Sequence, residues 1–186
     1  MGKKLRNGRL IKDELRDIAN YDFRPREGSS LIDRGTHKPG FTDGYRGSAP
    51  DIGAYEYGDD NYWIPGYQAN KARTPIPSNG AYNAKIDTDL IWLEGRHSES
   101  SDVYFGSTPS DLKFQGNQSN NIFTPKEPLN AGQIYYWRVD TVTEKGTIPG
   151  DIWTFAPVDP EVPEAPDAPL LDQTSDTGAS NSDSST

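Results

Sequence analysis

The chain of 186 residues contains no cysteine. It therefore forms no disulfide bond, no zinc–thiolate site and no thiol nucleophile. Apolar residues make up only 32% of the sequence, and no apolar run approaches the roughly 20 residues that a membrane-spanning helix needs. The basic first residues are followed by no apolar segment of the kind found in signal peptides. The lack of cysteine fits a cytosolic protein and equally an exported bacterial protein.

Motifs of the common catalytic centres are also missing. The sequence has no phosphate-binding glycine loop, no Gly-x-Ser-x-Gly and no His-Glu-x-x-His. The two histidines, His37 and His97, stand in separate polar loops, where each is expected to be a solvated residue. No segment combines a dense basic cluster with aromatic residues, as nucleic-acid binding requires. We therefore expect neither catalysis nor nucleic-acid binding from these residues themselves.

The net charge of −9 is concentrated near the carboxyl-terminal end. Residues 157–186 hold seven acidic residues and no basic residue, which leaves the rest of the chain close to −2. Proline recurs at every third position from Pro157 to Pro169, a spacing typical of a stiff polyproline II spacer. The residues after it are rich in Ser, Thr and Asp, a composition typical of disorder. Residues 158–186 are therefore predicted to be a disordered linker.

The first part of the chain, residues 1–58, is punctuated by glycines. Strand-like fragments at 22–24, 31–33 and 52–55 are too short to form an independent sheet. Four apolar residues near the start are spaced for a short amphipathic helix over 11–19, with an extended strand as the alternative. This part therefore needs a larger structure to pack against.

Residues 59–74 are predicted to be a linker, and residues 75–157 a β-sandwich. The linker carries three aromatic residues that can anchor it: Tyr62, Trp63 and Tyr67. In the second range, apolar and polar residues alternate with a period of two in short segments separated by turns. The side chains expected to face the core are Leu90, Trp92, Val103, Phe105, Tyr135, Trp137, Val139, Thr141, Trp153 and Phe155. The tryptophans among them are large enough to fill such a core.

Two segments of the first part resemble a known family. "GSSLIDRG" at 28–35 and "APDIGAYEYG" at 49–58 resemble the closing segment of secreted right-handed parallel β-helix proteins, commonly Gly-Ser-Pro-Ala-Ile-Asp-x-Gly followed by Pro-Asp-Ile-Gly-Ala-Tyr-Glu. Ser30 and Leu31 replace the usual Pro-Ala. The resemblance implies that residues 1–58 cap a β-helix whose rungs lie upstream. Many members of that family are polysaccharide lyases or related enzymes, with their catalytic residues on those rungs.

Residues 76–155 resemble a fibronectin type III-like module of the kind often appended to such bacterial enzymes. The resemblance rests on "DLIWLEG", "DVYFG", "LNAGQIYYWRVDTV" and "GDIWTF". Leu129, Gly132 and Tyr135 match the family's tyrosine corner, in which a tyrosine hydroxyl ties a loop to a strand. The two resemblances together predict an all-β chain with a parallel β-helix end cap and an antiparallel fibronectin type III-like β-sandwich.

The resemblances imply a non-catalytic accessory or spacer region of an extracellular polysaccharide-degrading enzyme, a lyase acting on an acidic glycan. The expected partners are an anionic polysaccharide and the upstream β-helix domain of the same protein. Two alternatives stay open: a structural or adhesive stalk module of a bacterial surface protein, and a dedicated carbohydrate-binding module. In each case the protein is expected to be secreted or displayed at the cell surface.

The outward face of the predicted sheet carries the candidate residues for weak glycan binding: Tyr104, Tyr136 and Arg138. Aromatic rings can stack on sugar rings, and an arginine can pair with uronate or sulfate groups. The alternative is a cross-strand Tyr–Arg ladder that stiffens the sheet. Ile91 and Leu93 face away from the predicted core, which predicts either contact with the first part or the linker aromatics, or simple exposure.

Several acidic residues cluster with glycines in the first part and the linker: Asp43, Asp51, Glu56, Asp59 and Asp60. Oxygen-rich loops of this kind can hold calcium, although no run has the spacing of an EF-hand. The alternative is that Asp33 and Asp51 fix turns by accepting hydrogen bonds from backbone N–H groups. The sequence therefore assigns no metal site and no cofactor.

Overall fold

The computed structural model describes residues 8–159, and in that range the protein is all-β. The described chain consists of strands, glycine-rich loops and two turns of 3-10 helix, and it contains no α-helix. The 3-10 turns are Ile11–Asp13 and Ile18–Asn20. The predicted all-β class is therefore confirmed. Residues 160–186 of the predicted disordered linker lie outside the described residues.

The strands form three sheets. They are β1 (Leu15–Asp17), β2 (Asp22–Pro25), β3 (Arg73–Ile76), β4 (Ala81–Lys85), β5 (Leu90–Leu93), β6 (Ser100–Gly106), β7 (Lys113–Gln118), β8 (Ile122–Phe123), β9 (Tyr135–Thr143), β10 (Gly146–Ile148) and β11 (Trp153–Val158). The large sheet has the order β4-β11-β9-β6-β7, with β10 also paired to β9, and the small sheet has the order β3-β5-β8. β1 and β2 pair separately. The β4–β11 pair is parallel and the others are antiparallel.

The main core lies between the large and small sheets, which pack against each other like a β-sandwich. Trp137 occupies its centre, with ring centroids 6.4 Å from Trp92 and 4.7 Å from Trp153. Among the side chains predicted to face the core, Phe105 is partly buried and all the others are buried. Each buried side chain of this size contributes about 1.5 to 3 kcal/mol of transfer free energy. The period-two interpretation of these strands is confirmed.

The start of the first part is built differently from the predicted helix. That helix over 11–19 is wrong, because two turns of 3-10 helix flank strand β1 there. Tyr21 has a φ of 67°, a left-handed conformation that ends the second turn and lets β2 return beside β1. The predicted fragment at 22–24 lies within β2, whereas those at 31–33 and 52–55 are not strands.

Carboxylates hold the loops that follow β2. Asp33 Oδ1 accepts hydrogen bonds from the N–H groups of Ala49 and Ser48, at 3.1 and 2.7 Å. Asp51 accepts from the N–H groups of Asp33 and Tyr57, at 2.8 and 2.6 Å. The bonds from Ala49 and Ser48 hold the pKa of Asp33 below its ordinary value. The turn-fixing role predicted for Asp33 and Asp51 is therefore confirmed.

A buried cluster of charges joins the first part to the sandwich. The Arg24 guanidinium lies 2.7 Å from the carboxylate of Asp22 on its own strand and 2.7 Å from that of Asp89, just before β5. Arg16 approaches both aspartates at 3.4 Å, and Thr124 Oγ1 donates to Asp89 at 2.7 Å. Burial by itself lowers the pKa of Arg24, but Asp22 and Asp89 outweigh it and raise that pKa above its ordinary value. The guanidinium therefore stays charged. We call this cluster of Arg16, Asp22 and Arg24 with Asp89, between the first part and the sandwich, the joint.

Tyr62 of the linker is the second fixed point of this joint. Its hydroxyl donates to the Tyr21 carbonyl at 2.6 Å and accepts from the Phe23 N–H at 3.2 Å. Its own N–H and carbonyl bond the amide side chain of Asn121, at 2.8 and 2.7 Å. Its ring stacks on Tyr55, with centroids 4.3 Å apart. One residue thus contacts the first part and the sandwich at once.

A second apolar cluster lies under the linker, on the face of β5 opposite the main core. Ile91 and Leu93 pack there with Tyr62, Ile64 and Ile76. Ile91 is fully buried and Leu93 is 9% exposed. The predicted contact of Ile91 and Leu93 with the linker aromatics is therefore confirmed, and the alternative of simple exposure is wrong.

Removal of the Arg24 side chain should destabilise the whole protein. Arg24→Ala leaves the buried carboxylates of Asp22 and Asp89 with only the more distant, partly exposed Arg16 as counter-charge. Breaking a buried ion pair costs about 3 to 5 kcal/mol. We expect the free energy of unfolding, measured in urea, to fall by this amount. Arg46→Ala, which removes an exposed pair with two aspartates, is the matched control and should leave the midpoint nearly unchanged. Equal midpoints for the two variants would contradict this role of Arg24.

Glu14 makes the stability of the first part depend on pH. Its fully buried carboxylate accepts from Ser30 N–H at 2.6 Å and Ser29 Oγ at 2.9 Å, and pairs with Arg9 at 2.7 Å. Burial by itself raises the pKa of this carboxyl, but those contacts outweigh it and hold the pKa below its ordinary value of 4.5. A carboxyl with a lowered folded pKa stabilises the fold above its unfolded pKa and stops doing so as pH falls through its folded pKa.

We therefore expect the free energy of unfolding to decline as the pH falls below 4.5, the ordinary pKa of Glu14. Glu14→Gln should be less stable at neutral pH and should lose less stability on acidification. Urea unfolding over a series from neutral to acidic pH measures both effects. Glu27→Gln, at an exposed position, is the control. If the free energy of unfolding of Glu14→Gln changed with pH in parallel with that of the unsubstituted protein, Glu14 would not be the source of the pH dependence.

Candidate functional site

An aromatic and cationic strip runs across the outward face of the large sheet. Tyr104 on β6 lies opposite Arg138 on β9, and Phe114 on β7 lies opposite Tyr104. The Arg138 guanidinium carbon is 4.4 Å from the centroid of the Tyr104 ring, and the Phe114 centroid is 5.5 Å from it. The fold thus brings two of the three predicted glycan-binding residues into contact.

Arg138 is already engaged by a buried carboxylate. Its Nε and Nη2 donate to the two oxygens of Asp140 at 2.8 and 2.9 Å, and Asp140 is only 5% exposed. Asp140 also accepts from the Gly150 N–H at 2.8 Å. A guanidinium that is stacked on Tyr104 and paired with Asp140 has the geometry of the cross-strand ladder. Glycan binding by Tyr104, Tyr136 and Arg138 stays a prediction.

Tyr136 shares this face but stands apart from the stacked pair. It lies two residues before Arg138, so both side chains project from the same side of the sheet. Its cross-strand neighbours are Gly106 on β6 and Thr154 on β11. Because Gly106 has no side chain, Tyr136 has no aromatic or charged partner directly opposite it on β6.

A cleft of about 680 Å³ lies beside the linker, where β5 ends. Trp63 and Tyr67 line it and are 71% and 74% exposed. Tryptophan is highly buried on average in folded proteins, so this exposure is unusual. The volume falls within the range of roughly 300 to 1,000 Å³ that is typical of small-molecule sites.

The path of the linker explains why these rings face solvent. Tyr62 and Ile64 point into the second apolar cluster, so Trp63 between them points outward. Gly66 has a φ of 149°, a value that favours glycine, and redirects the chain before Tyr67. The sequence interpretation of three aromatic anchors is therefore corrected: Tyr62 is buried as an anchor, whereas Trp63 and Tyr67 are exposed.

Two unpaired charged side chains complete the cleft. Glu94 and Arg96 both line it, and among the described residues neither side chain forms a hydrogen bond or an ion pair. Burial raises the pKa of the Glu94 carboxyl above its ordinary value. The Arg96 backbone N–H donates to the Ala69 carbonyl at 2.7 Å, which fixes this strand end to the linker. No local pattern in the sequence predicts this cleft, because its walls come from separate segments.

The acidic residues considered for calcium are held by other contacts. Asp43 accepts from His37 Nε2 at 2.8 Å, and Asp59 and Asp60 pair with Arg46 at 3.1 and 2.5 Å. Within residues 8–159, no three acidic or histidine side chains converge in a group that could hold a metal ion. His37 and His97 are both exposed loop residues, as predicted.

Known proteins do not identify a family for this chain: neither a scan against family models nor a search of curated proteins finds a match. In the part of the chain that the structure describes, no helix is long and apolar enough to cross a membrane. Function must therefore be inferred from the contacts and surfaces described above.

The ladder predicts a measurable coupling between Tyr104 and Arg138. Arg138→Ala leaves the buried carboxylate of Asp140 without its cationic partner and should cost about 1 to 3 kcal/mol. A double-mutant cycle that combines it with Tyr104→Ala isolates the stacking contact, expected at about 0.5 to 1 kcal/mol. Urea unfolding of the four proteins provides the coupling energy. Strictly additive effects would argue against the ladder.

Proposed function

We propose that this chain is a non-catalytic accessory and spacer region of an extracellular polysaccharide-degrading enzyme, a lyase acting on an acidic glycan. Its task is to hold a β-helix domain and the sandwich in one fixed orientation. The observation that carries this proposal is the joint, in which Arg24 pairs with Asp89 and Tyr62 bonds both sides. A flexible tether would have no need of buried charges at this position.

The arrangement of the sandwich supports its assignment as a fibronectin type III-like module. A three-stranded sheet, β3-β5-β8, packs against a sheet whose order includes β11-β9-β6-β7, with β7 at the edge. Tyr135 Oη accepts from the Asn130 N–H at 2.9 Å, and Leu129 beside it is buried, in keeping with a tyrosine corner.

The structure of residues 8–58 is consistent with their assignment as the end cap of a β-helix. Residues 8–58 have one short pair of strands and loops held by carboxylates, and they bury their charged edge against the sandwich. Such a segment is suited to closing one end of a larger structure. The parent reaction would then be proton abstraction next to a uronate carboxylate, by residues on upstream rungs.

The alternative is a stalk module of a bacterial surface protein, for which a stiff joint is equally useful. The sequence upstream separates the two: rungs with inward clusters of Lys, Arg and acidic residues favour a lyase. Rungs lined only by Asn, Val and Ile favour a stalk. The resemblance of the first part to the closing segment of such enzymes is the reason to prefer the lyase.

The spacer role predicts that both parts tumble as one body. Residual dipolar couplings of backbone amides in residues 8–58 and 75–157, measured in one alignment medium, should fit a single alignment tensor. In Arg24→Ala combined with Tyr62→Ala, the couplings of residues 8–58 should shrink towards zero and no longer fit the tensor of residues 75–157, whereas Arg46→Ala should behave like the unsubstituted protein. If the couplings of the unsubstituted protein required two alignment tensors, the first part and the sandwich would not have a fixed relative orientation, and the spacer proposal would be wrong.

The same preparation tests the absence of catalysis. Incubation of the chain with polygalacturonate or alginate should release no unsaturated uronate, which absorbs in the ultraviolet. A longer protein that includes the upstream rungs should release it from one of these polymers. Release by the present chain alone would overturn the non-catalytic assignment.

A further inference from the structure

We propose that the cleft between the linker and the end of β5 binds an acidic oligosaccharide, with Trp63 and Tyr67 stacking on sugar rings and Arg96 pairing with a carboxylate or sulfate group. This is a different surface from the strip of Tyr104 and Arg138. It adds a binding role to the spacer role and does not depend on it.

The two exposed rings are the first reason. Trp63 and Tyr67 together line one cleft, and both keep more than two thirds of their surface open to solvent. The face of an aromatic ring carries partial negative charge, which attracts the weakly positive C–H groups of a sugar ring. Two such rings on one cleft are an exposed apolar surface that would be covered by a bound ligand.

The polar groups around the rings are the second reason. A sugar presents hydroxyl groups next to its C–H faces, so its site needs hydrogen-bonding groups beside aromatic ones. Glu94 and Arg96 provide a carboxyl and a guanidinium that are unpaired within the described residues. The exposed amides of Asn61 and Gln68 also line the cleft. Each amide offers both a donor and an acceptor.

The local balance of charge selects an acidic sugar. Arg73 Nη1 lies 3.5 Å from the Tyr67 carbonyl, so a second guanidinium stands near the rim of the cleft. Arg73 and Arg96 together outweigh the single carboxyl of Glu94. This excess of positive charge occurs in a chain whose net charge is −9. A planar guanidinium matches carboxylate and sulfate oxygens in a two-pronged geometry.

The cleft is also held in shape before any ligand arrives. Trp63 is flanked by the buried residues Tyr62 and Ile64, and the Tyr55 hydroxyl donates to the Trp63 carbonyl at 3.0 Å. The Arg96 N–H bond to Ala69 closes the other end. A preformed site loses less conformational entropy on binding, which favours affinity.

A proline-rich peptide is the other occupant that an aromatic cleft can accept. Residues 157–169 of this chain have proline at every third position. That segment also carries four acidic side chains that could pair with Arg96. The carboxyl of Glu94 and the amides of Asn61 and Gln68 favour a sugar, because each sugar hydroxyl both donates and accepts, whereas proline has no N–H donor and ionised acidic side chains only accept. A synthetic peptide spanning 157–169 is therefore the alternative ligand against which the sugar must be compared.

Affinity electrophoresis of the intact chain provides the test, in gels that contain polygalacturonate, heparin or neutral dextran. We expect retardation by at least one acidic polymer and none by dextran. Trp63→Ala and Tyr67→Ala should each weaken binding roughly tenfold or more, as for aromatic anchors at other binding surfaces. Arg96→Lys should weaken binding less than Arg96→Ala. Urea unfolding should show that these exposed substitutions leave the fold intact.

Tyr82→Ala is the matched control, because its side chain is an aromatic on β4 that is 77% exposed and does not line the cleft. It should bind like the unsubstituted chain. Three results would overturn the proposal: no retardation by any acidic polymer, retardation lost in Tyr136→Ala or Arg138→Ala but kept in Trp63→Ala, or binding only of a synthetic peptide spanning 157–169. A single alignment tensor would still support the spacer role in each of these cases.

Discussion

The buried ion pair between Arg24 and Asp89 is the contact on which the rest of the structure depends. A guanidinium can be buried only where carboxylates compensate it, and here one carboxylate comes from each side of the joint. Tyr62 lies within cation–π distance of Arg24, at 6.0 Å, and brings the linker to the same place. The first part, which has too few strands to fold around a core of its own, is ordered because it shares this cluster with the sandwich.

The joint also creates the surface on which binding is proposed. Because Tyr62 and Ile64 are drawn into the second apolar cluster, Trp63 is turned outward and forms the wall of a cleft beside β5. The other aromatic surface, around Tyr104, is closed by its own contacts, since Arg138 already satisfies Asp140. The side chains that close the strip around Tyr104 therefore lie on the large sheet, whereas those that remain free for a ligand lie in the linker and just after β5.

The alternation of apolar and polar residues was sufficient to predict strands that bury one face in the main core, such as β9, which contains Trp137. It was not sufficient for β7, where the sequence "KFQGNQ" has no apolar period because the strand lies at the edge of the sheet. The helix predicted near the start failed because tertiary contacts of Glu14 and Arg16 outweighed a short periodic pattern. The cleft could not be predicted, because the outward turn of Trp63 follows from contacts of Tyr62 with Asn121, far along the chain.

β5 is buried on both faces, with Leu90 and Trp92 in the main core and Ile91 and Leu93 in the second cluster. A shift of this strand by one residue would therefore exchange the two sets of side chains and misfit both clusters together. Most strands of a sandwich are aligned by a single hydrophobic face, with the other free to vary. In β5, the packing of both clusters depends on the same four consecutive residues. A substitution that shifts the strand to suit one cluster is therefore tolerated only if the other cluster can also accommodate the shift.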